Sequence, residues 1–183
     1  MTVKDIVTLA ARQLGIAEEV QDALDGKTGA DLKPLQLLTQ CFNIVENELA
    51  LDYLPLYAED EVYSETGKIE FSELARSAVR ILRVEDAWGN SLPFKLFPSY
   101  LVTQPQTVKI RYTYTPQEKD ITGESDYTLF ASERLFAYGI AAEYCMAMGL
   151  YEESAVWDKK YKEGIEAARD VGKGVRIASR RWV

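Results

Sequence analysis

The chain has 183 residues, 47% of them hydrophobic, which is ample for the core of one domain or of one domain carrying an insertion. With no histidine and only two cysteines it lacks the commonest metal ligand and the usual general base near neutral pH. The net charge of −8 argues against nucleic acid as a direct ligand, and no apolar run approaches the roughly 18 residues that a membrane span needs.

The start, MTVKDIVTLA, lacks the basic and apolar regions of a signal peptide. Thr2 with Asp5 three residues on makes an N-terminal capping pattern, and Val3, Val7, Ala10 and Leu14 then line one helical face. Gly15 ends that helix, and residues 17–24 read as a short second one closed by Asp25-Gly26. The third helix is the most regular. Asp31 is its predicted N-cap, and Pro34 falls in the first turn, where a missing N–H does no harm. Leu35, Leu38, Phe42, Val45, Leu49 and Tyr53 recur at steps of three and four, with Leu37, Cys41, Ile44 and Leu51 beside them. About 22 residues at 1.5 Å each give about 33 Å before Pro55 stops the helix.

From there the period changes to alternation. Residues 59–64 and 68–71 flank Glu65-Thr66-Gly67 and read as a hairpin. Val79, Ile81 and Val84 mark another strand, Gly89-Asn90 a turn, and Leu92, Phe94 and Leu96 a further strand. Val108, Ile110, Tyr112 and Tyr114 alternate with Lys109, Arg111 and Thr113, the pattern of a half-buried antiparallel strand. Pro93, Pro98 and Pro105 limit these strands to short edge pieces. Residues 116–127 read as a polar loop.

Helical periodicity returns at Ser132, a natural N-cap. Leu135, Phe136, Ile140, Tyr144 and Ala147 cover one face of residues 132–148, and Tyr138, Ala142, Cys145 and Met146 cover much of the rest. A helix apolar on nearly all sides is a buried one. After a break at Gly149, Leu150, Ser154, Trp157, Tyr161, Ile165 and Ala168 form the stripe of an amphipathic helix. The chain thus reads as α+β: a bundle of about four helices with a small antiparallel β-sheet inserted and an extended C-terminal tail. Its parts are 1–54 (helical), 55–125 (β block), 126–171 (central and C-terminal helices) and 172–183 (tail). Leu38, Phe42, Val45, Leu135, Ile140, Tyr144 and Trp157 are its predicted core.

No catalytic, metal or cofactor constellation emerges. Glu46 and Glu48 diverge on their helix, as neighbours two apart do. Glu59, Asp60 and Glu61 read as a solvated acidic cluster without the spacing of a metal loop. Glu143, within the apolar helix, reads as paired with an arginine such as Arg134 or Arg12, or as an edge residue, ahead of the alternative of a buried catalytic acid. Cys41 and Cys145 read as buried thiols in a reducing compartment. Tyr57, Tyr63, Tyr100, Tyr112, Tyr114 and Tyr127 crowd the β block, either as an interface or half-buried beneath a small sheet.

The tail, GKGVRIASRRWV, holds four basic residues and no acid, so it carries +4 and the other 171 residues carry −12. Val175 and Ile177 alternate with Arg176 as in a short strand, and Arg180, Arg181, Trp182 and Val183 close the chain. Arginine and tryptophan are common binding anchors, which makes Val175, Arg176, Ile177, Arg180, Arg181, Trp182 and Val183 the candidate partner-binding residues, against the alternative of an unstructured terminus.

The long helix ends in Tyr53-Leu54-Pro55-Leu56, and the β block contains Gly67-Lys68-Ile69 with Phe71. Glu133-Arg134-Leu135, Gly139-Ile140-Ala141-Ala142-Glu143-Tyr144, Gly149-Leu150-Tyr151-Glu152-Glu153 and Trp157 follow. In this succession the stretch from Asp31 to Ala168 resembles the head–tail connector (adaptor) proteins of tailed bacteriophages and prophages. The resemblance implies a structural virion protein, not an enzyme, with no cofactor. Such a protein is made in the bacterial host cytoplasm and lodged in the neck between capsid and tail. It implies a homo-oligomeric ring, usually of twelve, docked on the portal protein through its C-terminal segment, meeting tail or neck proteins below. DNA would pass without specific binding, because an acidic wall repels it over the screening length of about 8–10 Å. A second reading takes Ala147, Gly149, Leu150, Tyr151, Glu152, Ala155 and Trp157 as part of a tetratricopeptide-like interaction scaffold, although such arrays need about three stacked repeats.

Overall fold

The computed structural model describes residues 1–127 and 132–171. The protein is α+β, with five α-helices and two antiparallel sheets of three strands each. The helices are α1 (Val3–Leu14), α2 (Ala17–Leu24), α3 (Lys33–Glu48), α4 (Glu133–Ala147) and α5 (Tyr151–Val171). The strands, all between α3 and α4, are β1 (Leu56–Ser64), β2 (Lys68–Glu70), β3 (Ala78–Glu85), β4 (Lys95–Leu96), β5 (Tyr100–Val102) and β6 (Gln106–Tyr114).

The chain divides into two compact units. One joins Met1–Glu46 to the residues from Glu118 onward, and the other is Asn47–Gln117. The second unit therefore begins within α3 and ends before residues 118–125, which the sequence pattern places in the β block.

In the helical unit, capping chemistry sets the helix ends. The Thr2 hydroxyl accepts from Asp5 N–H at 3.1 Å and donates to the Asp5 carboxylate at 2.6 Å. Gly15 closes α1 at φ +75°, donating its N–H to the Ala11 and Arg12 carbonyls. Ser132 caps α4 by accepting from Leu135 N–H. Asp31 acts one position further out than predicted, since Lys33 N–H donates to it and α3 starts only there.

Helix α4 is the central element. Leu135, Phe136, Ala137, Ile140, Ala141, Tyr144 and Cys145 are all buried on it. α1 and α5 pack along it, and α3 meets it through Phe42, whose ring stacks on Phe136 at 5.6 Å. Gly139 lets α3 and α5 approach: a Cβ there would lie 2.9 Å from Val45 Cγ1 and 3.0 Å from Tyr161 Cε2. Leu38, Phe42, Val45, Leu135, Ile140 and Tyr144 are core residues as predicted. Trp157 is a correction. It is only half-buried and stacks on Tyr138 at 5.8 Å with Lys160 over its ring, while Ser154, Tyr161 and Ile165 supply the buried side of α5. Met146, Ile44 and Leu51 are a second correction, each about half exposed.

α3 continues into a π-helical turn, Leu49–Tyr53, closed by Leu54 N–H donating to the Leu49 carbonyl at 2.6 Å. Pro55 cannot extend the helix, and the residue before a proline is pushed toward extended backbone.

In the β unit the sheets have the orders β1-β6-β3 and β2-β5-β4. β6 is central, pairing Leu56–Ser64 with Tyr114–Gln106 on one side and β3 on the other, with irregular register near Val79 and Leu82. Two expectations fail here. β1 and β2 form no hairpin, and β6 is no edge piece. After Gly67 the chain crosses to the other sheet, where Thr103 N–H donates to the Gly67 carbonyl at 2.8 Å. A Cβ on Gly67 would stand 2.2 Å from the Thr103 carbonyl oxygen, and its φ of +76° suits only glycine. The predicted strand over Leu92, Phe94 and Leu96 shrinks to Lys95–Leu96, as Pro93 removes a donor and Leu92 and Phe94 turn inward. Both sheets cover one core: Ile69, Leu74, Ile81, Val84, Leu101, Val108, Ile110 and Tyr112.

Candidate functional site

The candidate partner-binding residues Val175, Arg176, Ile177, Arg180, Arg181, Trp182 and Val183 lie outside the described residues. Three arrangements elsewhere carry chemistry that the linear sequence does not display.

The first is a buried ionic strap. Glu46 on α3 is only 1% exposed. Its carboxylate accepts from Lys119 Nζ at 2.7 Å, Ser125 Oγ at 2.7 Å and Asp126 N–H at 2.9 Å. Lys119 Nζ also stands 3.7 Å from Asp126, whose other carboxylate oxygen is buried without a hydrogen-bond partner. Asn43, one turn before Glu46, exchanges two hydrogen bonds of 2.9 Å with the Lys119 backbone. The strap then pairs with the N-terminus: Val3 N–H donates to the Gly123 carbonyl and Ser125 N–H to the Met1 carbonyl, both at 3.0 Å. Residues 118–127 are therefore a tether across the helical unit, where the sequence shows only a polar loop. A buried carboxylate needs such partners, because without them its desolvation is unfavourable by several kcal/mol, on the order of the penalty per buried ion.

The second is a polar pin in the β unit. Tyr112, fully buried, donates its hydroxyl to Asp60 at 2.6 Å and accepts from Arg76 N–H at 3.2 Å. Asp60 also accepts from Ala75 N–H at 2.7 Å. Burial and the Asp60 hydrogen bond push the Tyr112 hydroxyl up to about 12. Asp60 thus departs from the solvated cluster expected of it. It faces inward and fastens the loop after β2, while Glu59 turns outward to Arg111 at 2.9 Å. The tyrosines divide between the two readings given above: Tyr57 and Tyr63 are exposed, Tyr112 and Tyr127 buried, and Tyr100 and Tyr114 half-buried.

The third is a turn that presents a tryptophan. Trp88 is 83% exposed at the tip of the loop after β3. The loop is held from inside by Asp86, which accepts from Trp88 N–H, Asn90 N–H and the Asn90 side-chain amide at 2.8–2.9 Å. The Asn90 side chain first, and these N–H groups with it, hold the Asp86 carboxyl below the ordinary range against the opposing effect of burial. An exposed indole on a preordered turn has the chemistry of a binding anchor. Its signal was present in the sequence as Asp86 two residues before Trp88, ahead of Gly89-Asn90.

The cysteines offer no reactive site. Cys41 and Cys145 are free and buried. Burial, and secondarily the nearby Glu143, push Cys41 up to about 12, and burial raises Cys145. Glu143 is half-buried, and among the described residues no ion pair joins it to Arg12 or Arg134. Among the described residues there is also no group of three or more histidine, cysteine or acidic side chains placed to hold a metal, and no helix long and apolar enough to cross a membrane. The chain matches no protein-family model and no curated protein.

Proposed function

We propose that this chain is a structural head–tail connector of a tailed phage or prophage. In this reading it forms a ring, of twelve copies in the arrangement the resemblance implies, in the virion neck. It docks on the portal protein through the tail after Val171 and extends the DNA channel toward tail or neck proteins. The observation that carries the reading is architectural. Helices from both ends of the sequence pack as one unit around α4, and a two-sheet unit is inserted between them. The residues of the resemblance fall at the joints of that architecture: Tyr53-Leu54-Pro55 at the exit of the long helix, Gly67 at the crossing between sheets, and Gly149 at the corner between α4 and α5. The described residues also present anchors suited to a protein partner, Trp88 above all, together with Tyr57 and Tyr63 on β1. The scaffold alternative finds less support, since α4 and α5 make a single helical hairpin where a stable array stacks about three.

Electron microscopy of the full chain mixed with the portal protein of its phage tests this. A collar of copies seated on one face of the portal is the expected image. Portal particles without added density, at concentrations where the chain is in excess, overturn the reading.

A further inference from the structure

The corner between α4 and α5 is apolar and unburied. Residues 146–151 read Met-Ala-Met-Gly-Leu-Tyr, and every one of them is exposed. Met146, Met148 and Tyr151 are 52%, 55% and 68% exposed. A run of six exposed apolar residues is disfavoured in a protein that stays alone in water. The corner is nevertheless well built. Gly149 takes φ +76°, Leu150 N–H donates to the Cys145 carbonyl at 2.8 Å, and Ser154 fastens α5 to α4 by donating to the Ala142 carbonyl at 3.0 Å. Its flanks are acidic: Glu143, Glu152 and Glu153 are the nearest charged residues along the chain, and no basic residue occurs between Arg134 and Lys159.

The opposite end of the same hairpin offers an opening and the basic residues Arg134 and Lys160, with Glu133, Glu163 and Glu166 beside them. A groove of about 300 Å³ opens between the start of α4 and the last turns of α5, lined by Arg134, Leu135, Tyr138, Gly164, Ala167 and Ala168 along with Ser132. Its floor is apolar, and among the described residues that line it Arg134 is the one charged. Lys160 adds a second cation 5.7 Å from the Tyr138 ring centre. Gly164 lets α5 pack closely on α4 at the groove's edge: a Cβ there would lie 2.7 Å from Leu135 Cδ1.

We propose that the 146–151 corner of one copy seats in the Arg134–Ala168 groove of a second copy. Met148 and Leu150 enter the apolar floor, and Glu152 and Glu153 face Arg134 and Lys160. The corner that enters the groove belongs to another copy. α4 has 15 residues, so about 22 Å separate the corner from the groove, and a rigid hairpin cannot fold onto itself. A corner meeting a groove is a head-to-tail contact, which propagates and closes into a ring when the rotation between copies permits. The inference supplies a contact for the ring proposed above, and its ring geometry rests on that reading.

Sedimentation velocity over a concentration series tests the contact with the full chain. Leu150→Asp disables the corner, and Ala167→Trp fills the groove. Both positions are exposed, so circular dichroism should report unchanged folds. Wild type should assemble with rising concentration, and each variant alone should remain monomeric. Their equimolar mixture should give dimers and nothing larger, because one working corner and one working groove remain. Arg134→Glu should weaken association about tenfold, and Glu152→Arg with Glu153→Arg in the same chain should recover it. Assembly of either single variant at the wild-type concentration overturns the contact and leaves the connector reading standing. A wild type that stays monomeric throughout also overturns the contact, and the portal images then decide the connector reading separately.

Discussion

Glu46 shows how one residue acquires a meaning that its neighbours in sequence cannot supply. Its partners Lys119, Ser125 and Asp126 lie 73 to 80 positions away. Removing it takes the 2.7 Å partner from Lys119, whose side chain is 13% exposed and stands 3.7 Å from Asp126. Breaking a buried pair in this way costs about 3–5 kcal/mol. Glu46→Ala is therefore expected to lower chemical-denaturation stability by that amount, and to speed hydrogen exchange at Val3 and Ser125, whose N–H groups join the strap to the N-terminus. Unchanged exchange there would show that the strap does not depend on Glu46. Tyr112 sets a pH dependence of known sign. Its hydroxyl is held near 12 in the fold, against about 10 in an unfolded chain. The unfolded chain loses that proton first, so the contribution is whole below about pH 10 and disappears as pH rises toward 12. Cys41, raised in the same direction, adds a loss beginning near its ordinary value of about 8.5. Tyr112→Phe should be less stable at neutral pH by about 1–3 kcal/mol, because Arg76 N–H loses its acceptor and Asp60 a donor. It should also lose less stability than wild type between pH 10 and 12. Parallel alkaline curves for the two proteins would refute the assignment.

At the scale of elements, what the sequence displayed depended on how local the deciding interactions are. Helix starts at Thr2 and Ser132 and the break at Gly149 were legible, because capping and left-handed glycines act within four residues. The alternation of Val108, Ile110 and Tyr112 was legible as a buried face. Pairing was not. β1 faces β6, about fifty positions away, and Glu65-Thr66-Gly67 resembles a hairpin connection while joining two different sheets. Periodicity also assigns a stripe without saying what covers it, which is why Trp157, Met146 and Ile44 were misplaced as buried. Gly139 tests the element-scale packing. In an open helix, alanine would be favoured over glycine by about 0.5–1 kcal/mol. Here the added carbon meets Val45 on one side and Tyr161 on the other, so neither α3 nor α5 can yield alone. Gly139→Ala is expected to destabilise by about 1–3 kcal/mol, and Val45→Ala in the same chain to recover part of that loss. Thermal unfolding of the four proteins in the cycle measures the coupling. Strict additivity would mean that α3 and α4 do not meet at Gly139.

At the scale of the whole molecule, charge separates the body from its last residues. The final 12 residues carry +4 against −12 on the rest. Among the described residues the last buried side chain of α5 is Ile165, well before Gly172. The chain shortened to end at Val171 is therefore expected to melt within about 1–2 °C of the full chain, since a change of 1 kcal/mol moves the midpoint by about 2–4 °C in a protein of this size. Portal binding should behave differently. If Trp182 is an anchor and Arg176, Arg180 and Arg181 pair with portal carboxylates, the deletion removes both the apolar and the charge-assisted parts of the contact. Binding of the shortened chain, measured by co-sedimentation with portal, should be lost at concentrations that saturate the full chain. Trp182→Ala alone should weaken it by at least about tenfold, the equivalent of about 1.4 kcal/mol. Raising the salt should weaken the full chain as its arginines are screened, while the shortened chain has no such contacts to lose. A shortened chain that binds portal with unaltered affinity would place the docking surface on the folded body, and Trp88 on its rigid turn would be the first residue to change.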